Sequence, residues 1–211
     1  MCQLTVVFLT LAAASCGAAA SQSQPPIVQP GAPGEATRVI GPTNAVDLSR
    51  VGHTAADVNF MQGMISHHAQ AVEMADLLST RTASDAMRKL GQRIQVSQTD
   101  EINMMQRWLE ARGERAPGPH DHHMMGATLM PGMLTEGEMN RLAQAKGPEF
   151  DRLFLEGMIK HHGGALTMVK DLFATPGAGQ DSEIFAFASD VDADQRMEID
   201  RMSAMLKEFQ K

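Results

Sequence analysis

The sequence predicts an all-α fold, a four-helix bundle assembled from two copies of one helical hairpin. Three observations lead there. The segment Asp57-x-x-Phe60-x-x-Gly63-Met64-Ile65-x-His67-His68-x-x-Ala71-x-x-Met74 returns as Asp151-x-x-Phe154-x-x-Gly157-Met158-Ile159-x-His161-His162-x-x-Ala165-x-x-Met168. Each copy is followed by a second echo, Gln98-x-x-Glu101-Ile102-x-x-Met105 after the first and Gln195-x-x-Glu198-Ile199-x-x-Met202 after the second. Apolar residues recur at helical spacing through all four segments, and no alternating strand pattern is evident in the chain. The repeating unit is a cassette helix followed by a Gln/Glu helix. Two such hairpins bury their apolar stripes against each other, an architecture in which facing helices build metal sites.

The 211 residues, 43% hydrophobic, suffice for one domain with a real core plus tails. Residues 1–20 read as a leader, because the apolar run Leu4 to Ala14 is too short to span a bilayer and suits a signal-peptide core. Its end, Ala13-Ala14-Ser15-Cys16-Gly17, looks like a lipoprotein processing site that would lipidate Cys16, while Ala18-Ala19-Ala20 offers ordinary cleavage instead. Either route exports the protein to the periplasm, the medium or the cell surface, with membrane contact only through a lipid on Cys16. Cys2 and Cys16 are both in this leader, so the mature domain has no thiol, and a transition-metal site in it must use His, Met, Asp or Glu. A formal charge of -7 without a long Lys/Arg run argues against a nucleic-acid partner.

Residues 21–52, rich in Pro, Gly, Ala and Gln, read as a flexible tether, and residues 53–211 as the duplicated domain. The first helix opens at Thr54, where Thr54-x-x-Asp57 resembles a capping box, and places apolar side chains at 60, 61, 64, 65, 71, 72, 75 and 78. The second runs from about Ser84 to Ala111 and stops before Gly113. A shorter helix from Glu136 to Ala145 is capped by Thr135 with Glu138 three residues on. The third long helix starts near Pro148, a favourable first-turn residue, and ends before Pro176-Gly177; the fourth runs from about Ser182 to the C-terminus.

At about 100° per residue, Phe60, Met64, Ala71, Ala75 and Leu78 form one stripe, with His67 near one edge and His68 near the other, so the histidines face the bundle. Helical spacing groups Met61, Met64 and His68 in one cluster and Met64, His67 and Met74 in another. The second copy offers Met158, His161, His162 and Met168, with Leu155 where the first has Met61. Adjacent histidines diverge, so a site shared between helices is expected. Imidazole suits copper, zinc, iron and nickel, and thioether favours Cu(I); copper therefore uses the whole set better than zinc does. Between the hairpins, His120-Asp121-His122-His123-Met124-Met125 and then Met130-Pro131-Gly132-Met133 form a further His/Met tract suited to copper, or else a solvated loop. Core packing is the competing role for the cassette methionines. Gln98, Glu101, Gln195 and Glu198 either satisfy buried histidines or orient them as ligands.

On the doubled cassette, the Gln-x-x-Glu-Ile-x-x-Met echoes and Met130-Pro131-Gly132-Met133-Leu134-Thr135, the chain resembles the bacterial domain of unknown function 305 family over about residues 54 to 209. The resemblance implies a ferritin-like bundle and an extracytoplasmic copper-binding protein that sequesters copper or silver and supports tolerance. It implies Met64, His67, His68 and Met74 as ligands in one copy and Met158, His161, His162 and Met168 in the other. Thr167 replaces the Glu73 of the first copy, so a role for Glu73 does not carry over. No Glu is followed by His three residues later, which departs from the di-iron bundles. Expected partners are metal ions and a copper exporter or acceptor. A copper-dependent redox enzyme and a metal-free structural or partner-binding module are the alternatives.

Overall fold

The computed structural model of the chain describes residues 27–41, 52–118 and 129–209. After a short antiparallel hairpin of β1 (Ile27–Gln29) and β2 (Arg38–Ile40), the chain forms α1 (Ala55–Asp76), a single turn α2 (Leu78–Arg81) and α3 (Asp85–Ala111). The second half contributes α4 (Glu136–Gln144), α5 (Gly147–Ala174) and α6 (Ser182–Glu208). Helix α1 packs along α3, α5 along α6, and the two hairpins meet through α1 and α5. The fold is the expected all-α, ferritin-like bundle.

The helix starts follow the local chemistry of the sequence. Thr54 Oγ1 accepts from the Asp57 amide at 3.2 Å while Asp57 Oδ2 accepts from the Thr54 amide at 2.7 Å, a reciprocal cap. Thr135 and Glu138 repeat it on α4, Ser84 and Asp181 cap α3 and α6, and Pro148 sits in the first turn of α5. The acid that opens each cassette also crosses to the other hairpin. Asp57 Oδ1 accepts from the Gly179 amide at 2.7 Å, in the turn between α5 and α6. Asp151, whose pKa burial raises against the pull of Thr82 and Arg88, reaches the turn between α2 and α3.

One stretch departs from the sequence reading. Residues 27–41 lie within the segment expected to be a flexible tether, yet they pair as Ile27 with Ile40, Val28 with Val39 and Gln29 with Arg38. Strands of three residues are too short to show alternation, which is why the periodicity misses them. Gln29 is buried, and its Nε2 donates to the Phe173 and Thr175 carbonyls at 2.9 and 2.8 Å, while Arg38 donates to the Ala174 carbonyl. These belong to the end of α5, where carbonyls lack helical partners. The hairpin therefore caps a helix. Residues 1–26, including the leader and Cys16, lie outside the described residues.

The core has two apolar halves. One gathers Phe60, Met61, Met64, Trp108, Phe173 and Phe187, and the other Met74, Leu90, Phe150, Phe154, Met158 and Met202. Four buried histidines belong to neither half.

Candidate metal centre

His67 and His68 stand at the middle of α1, His161 and His162 at the middle of α5, and all four are 0% exposed. The divergence of neighbouring positions on a helix sorts them into two kinds. His67 and His161 stack across the helix contact, ring centroids 3.8 Å apart and planes tilted by 37°. His68 and His162 turn outward, each about one ring spacing from its neighbour at 6.3 and 6.2 Å, toward the Gln/Glu helices.

Each ring is held through Nε2. His68 donates to Glu101 Oε2 at 2.5 Å and His162 to Glu198 Oε2 at 2.6 Å. His161 donates to the backbone carbonyl of His67 at 2.9 Å, and His67 to the carbonyl of Pro131 at 3.0 Å. Carbonyls and carboxylates only accept, so Nε2 carries the proton in every neutral ring and Nδ1 presents a lone pair. All four Nδ1 atoms are buried without a hydrogen-bond partner. Burial, reinforced by the neighbouring His68, holds His67 down to about 3, and burial with His67 alongside holds His161 well below the ordinary imidazole value. Burial opposes ionisation of Glu101, yet the hydrogen bonds it accepts from His68 and from Ser97 Oγ at 3.1 Å leave its carboxyl below the usual range. The centre thus holds bare imidazole nitrogens, two of them on rings backed by carboxylates, an arrangement that orients a ring and raises its basicity toward a metal.

The methionines do not stay with their own copies. The two cassette helices run past each other so that the Met168 methyl reaches Gly63 of α1 and the Met74 methyl reaches Gly157 of α5, 3.4 and 3.2 Å from where a Cβ would stand. Met74, which helical spacing groups with Met64 and His67, thus has its methyl against α5. Met61, Met64, Met74 and Met158 are 0% exposed, whereas Met168 is partly buried. Among the described residues no three His, Cys, Asp or Glu side chains form a ligand group. His120, His122, His123, Met124 and Met125 lie outside the described residues.

Sequence reasoning missed a strap. Met130-Pro131-Gly132-Met133 forms a turn closed by the Met133 amide on the Met130 carbonyl at 3.2 Å, with Gly132 at φ +76° as a proline-glycine turn requires. Gln70 binds the strap backbone both ways, its Nε2 to Leu134 O at 3.0 Å and its Oε1 to Leu134 N at 2.7 Å. On the other side the strap lies on Gly164, where a Cβ would stand 1.9 Å from the Pro131 oxygen. Gln70 and Gly164 occupy the same cassette position, and that mismatch was the available clue.

A family profile described as "Domain of unknown function (DUF305)" matches residues 57–206. Among solved structures the chain is similar to a DUF305 protein from Streptomyces coelicolor proposed to be secreted, at 30% identity and TM-score 0.62, covering 73% of this chain and 93% of that one. A DUF305 fragment from Deinococcus radiodurans matches at 30% identity and TM-score 0.63, covering 74% and 98%. CopM in its Cu(I)-bound form matches at 25% identity and TM-score 0.57, covering 72% and 96%, and is also known in Cu(II)-bound and Ag-bound forms. A comparison with curated protein sequences returns no match. With the profile spanning most of the chain and two structures sharing both sequence and fold, the chain belongs to the DUF305 family.

Proposed function

We propose that this protein is an exported metal-binding protein that captures copper, and silver by the same chemistry, for sequestration, tolerance or transfer to an exporter or acceptor. The observation that carries the reading is the set of four buried imidazoles, each tied down at Nε2 and bare at Nδ1. A buried polar atom without a partner costs roughly 1–3 kcal/mol, so four in one layer call for an occupant. Neutral imidazole with thioether is a soft donor set. It favours Cu(I) and Ag(I) over zinc, and over calcium or magnesium more strongly still. The copper- and silver-bound forms of CopM support the same choice, and the leader-like N-terminus with the similarity to a protein proposed to be secreted supports export.

Capture is favoured over catalysis because the ligand nitrogens are sealed among side chains, which admits an ion but offers a larger substrate no approach. The test is metal analysis of protein exported in cells supplied with copper or zinc, alongside a variant with His67, His68, His161 and His162 all replaced by Gln. The expected result is copper in the natural protein and loss of most Cu(I) and Ag(I) uptake in the variant. A zinc preference, or unchanged uptake by the variant, overturns the reading.

A further inference from the structure

One face of the bundle carries charges that neither the core nor the histidine layer uses. On α3, Lys89, Arg93, Val96 and Asp100 follow one another at the spacing of a single helical stripe, and on α6 Asp190, Asp194, Met197 and Arg201 do the same. All eight are exposed, and Val96 and Met197, at 62% and 63%, are the most exposed large apolar side chains on the described helices. Lys89, Arg93, Val96 and Ser97 line one groove with Arg201, while farther along Asp194 lies close enough to Glu101 to feel its charge, so α3 and α6 run antiparallel. The two stripes then agree in polarity. One end of the face holds Lys89, Arg93 and Arg201, the middle Val96 and Met197, and the other end Asp100, Asp190 and Asp194. Among the described residues none of these six charges has an ion-pair partner. Arg107 about two turns beyond Asp100, and Glu208 about two turns beyond Arg201, carry the opposite sign only at the margins.

We propose that this face is a self-association surface whose partner is a second copy of this chain. The two-fold axis lies in the face, at right angles to the helices, and passes Val96 and Met197. Such an axis reverses the face end for end, so one patch complements itself. Lys89 and Arg93 meet the partner's Asp100, Arg201 meets the partner's Asp194, and the apolar middle is covered. An axis along the helices would set like charges together, which is costly. Each helix has 27 residues and is about 40 Å long, and two side by side at about 10 Å each offer about 800 Å² per copy, the standard share of a specific interface. Ser97, in the groove, donates to Glu101, and the Glu101 and Glu198 side chains keep 17% and 18% exposure. The second copy therefore covers the carboxylates that hold His68 and His162. This inference goes beyond the metal reading and does not rest on it.

The test is sedimentation equilibrium of the whole protein with a chelator present, so that no ion bridges copies. A dimer is expected in low salt, with its dissociation constant raised about tenfold in about 0.5 M salt, which screens exposed charges. Arg93→Glu with Arg201→Glu makes the face largely acidic, and Asp100→Lys with Asp194→Lys makes it largely basic. Each double variant is expected to be monomeric alone, and the two mixed are expected to form a heterodimer. A natural protein that stays monomeric in low salt overturns the proposal, a measurement that needs no variant to fold; retention of that monomer on polyglutamate would make an acidic chain the occupant instead. A dimer that salt leaves unchanged, or that either variant keeps, also overturns it. So do variants that match the natural protein by circular dichroism yet fail to pair when mixed.

Discussion

Glu101 and His68 set the chemistry at the scale of single residues. The carboxylate accepts from Nε2 at 2.5 Å, which fixes the ring and its tautomer and leaves Nδ1 free to bind. Glu101→Gln keeps an oxygen acceptor but removes the charge, so the fold should survive while Cu(I) affinity falls roughly ten- to hundred-fold, read by competition with a chromophoric chelator. An unchanged affinity would show that the pair is merely structural. His67 supplies a pH prediction for the metal-free protein. Its pKa lies at about 3 when folded against 6.5 as a free side chain, so the unfolded chain binds more protons between those values and stability falls as pH drops through that window. The loss from this ring is about 1.4 kcal/mol per pH unit, and His67→Gln should flatten the dependence of urea midpoints on pH. The interior placement of the histidines was legible from the helical stripe. Which partner each would take was not: Gln98 and Glu101 stand one turn apart on one face, and only packing decides that Glu101 meets the ring while Gln98 Oε1 has no partner.

The elements explain how two similar hairpins become unlike. The four long helices, the short α4 and the Thr54 and Thr135 caps follow from spacing and capping residues, and these were readable; the Ser84 and Asp181 caps appear only in the structure. The strap and the β-hairpin were not, since both are short backbone pieces whose positions depend on distant helix surfaces. The strap is held by Gln70 from α1 and fits onto α5 only because position 164 is glycine. Gly164→Ala puts a methyl where the Pro131 oxygen lies, so the strap must lift and both its His67 and Gln70 bonds weaken. Overpacking of this kind costs about 1–3 kcal/mol, and the urea midpoint should fall while its slope is kept. A stability equal to that of the natural protein would mean that the strap docks loosely. The β-hairpin shows the same dependence: Gln29 lies in a Pro/Gly-rich stretch that reads as tether, and its role as a cap appears only once the end of α5 is in place.

For the whole molecule, the proposed function makes stability and metal binding one equilibrium, because the imidazoles lie between two apolar halves. The metal-free fold carries the cost of four unpartnered nitrogens, which the unfolded chain relieves in water and which a bound ion would relieve in the folded chain. A ligand that binds only the folded state stabilises it by about 2.7 kcal/mol at a hundred-fold excess over its dissociation constant. In a domain of this size that corresponds to a rise in Tm of about 5–10 °C. Calorimetry with and without Ag(I) should show that rise, growing with the logarithm of free metal, and the four-histidine variant should lose most of it. Zinc should give the smaller shift, because thioether sulfur adds little to its binding. If silver left Tm unchanged in the natural protein, the histidine layer would be a satisfied or hydrated core, with Glu101 and Glu198 serving to anchor side chains rather than ligands.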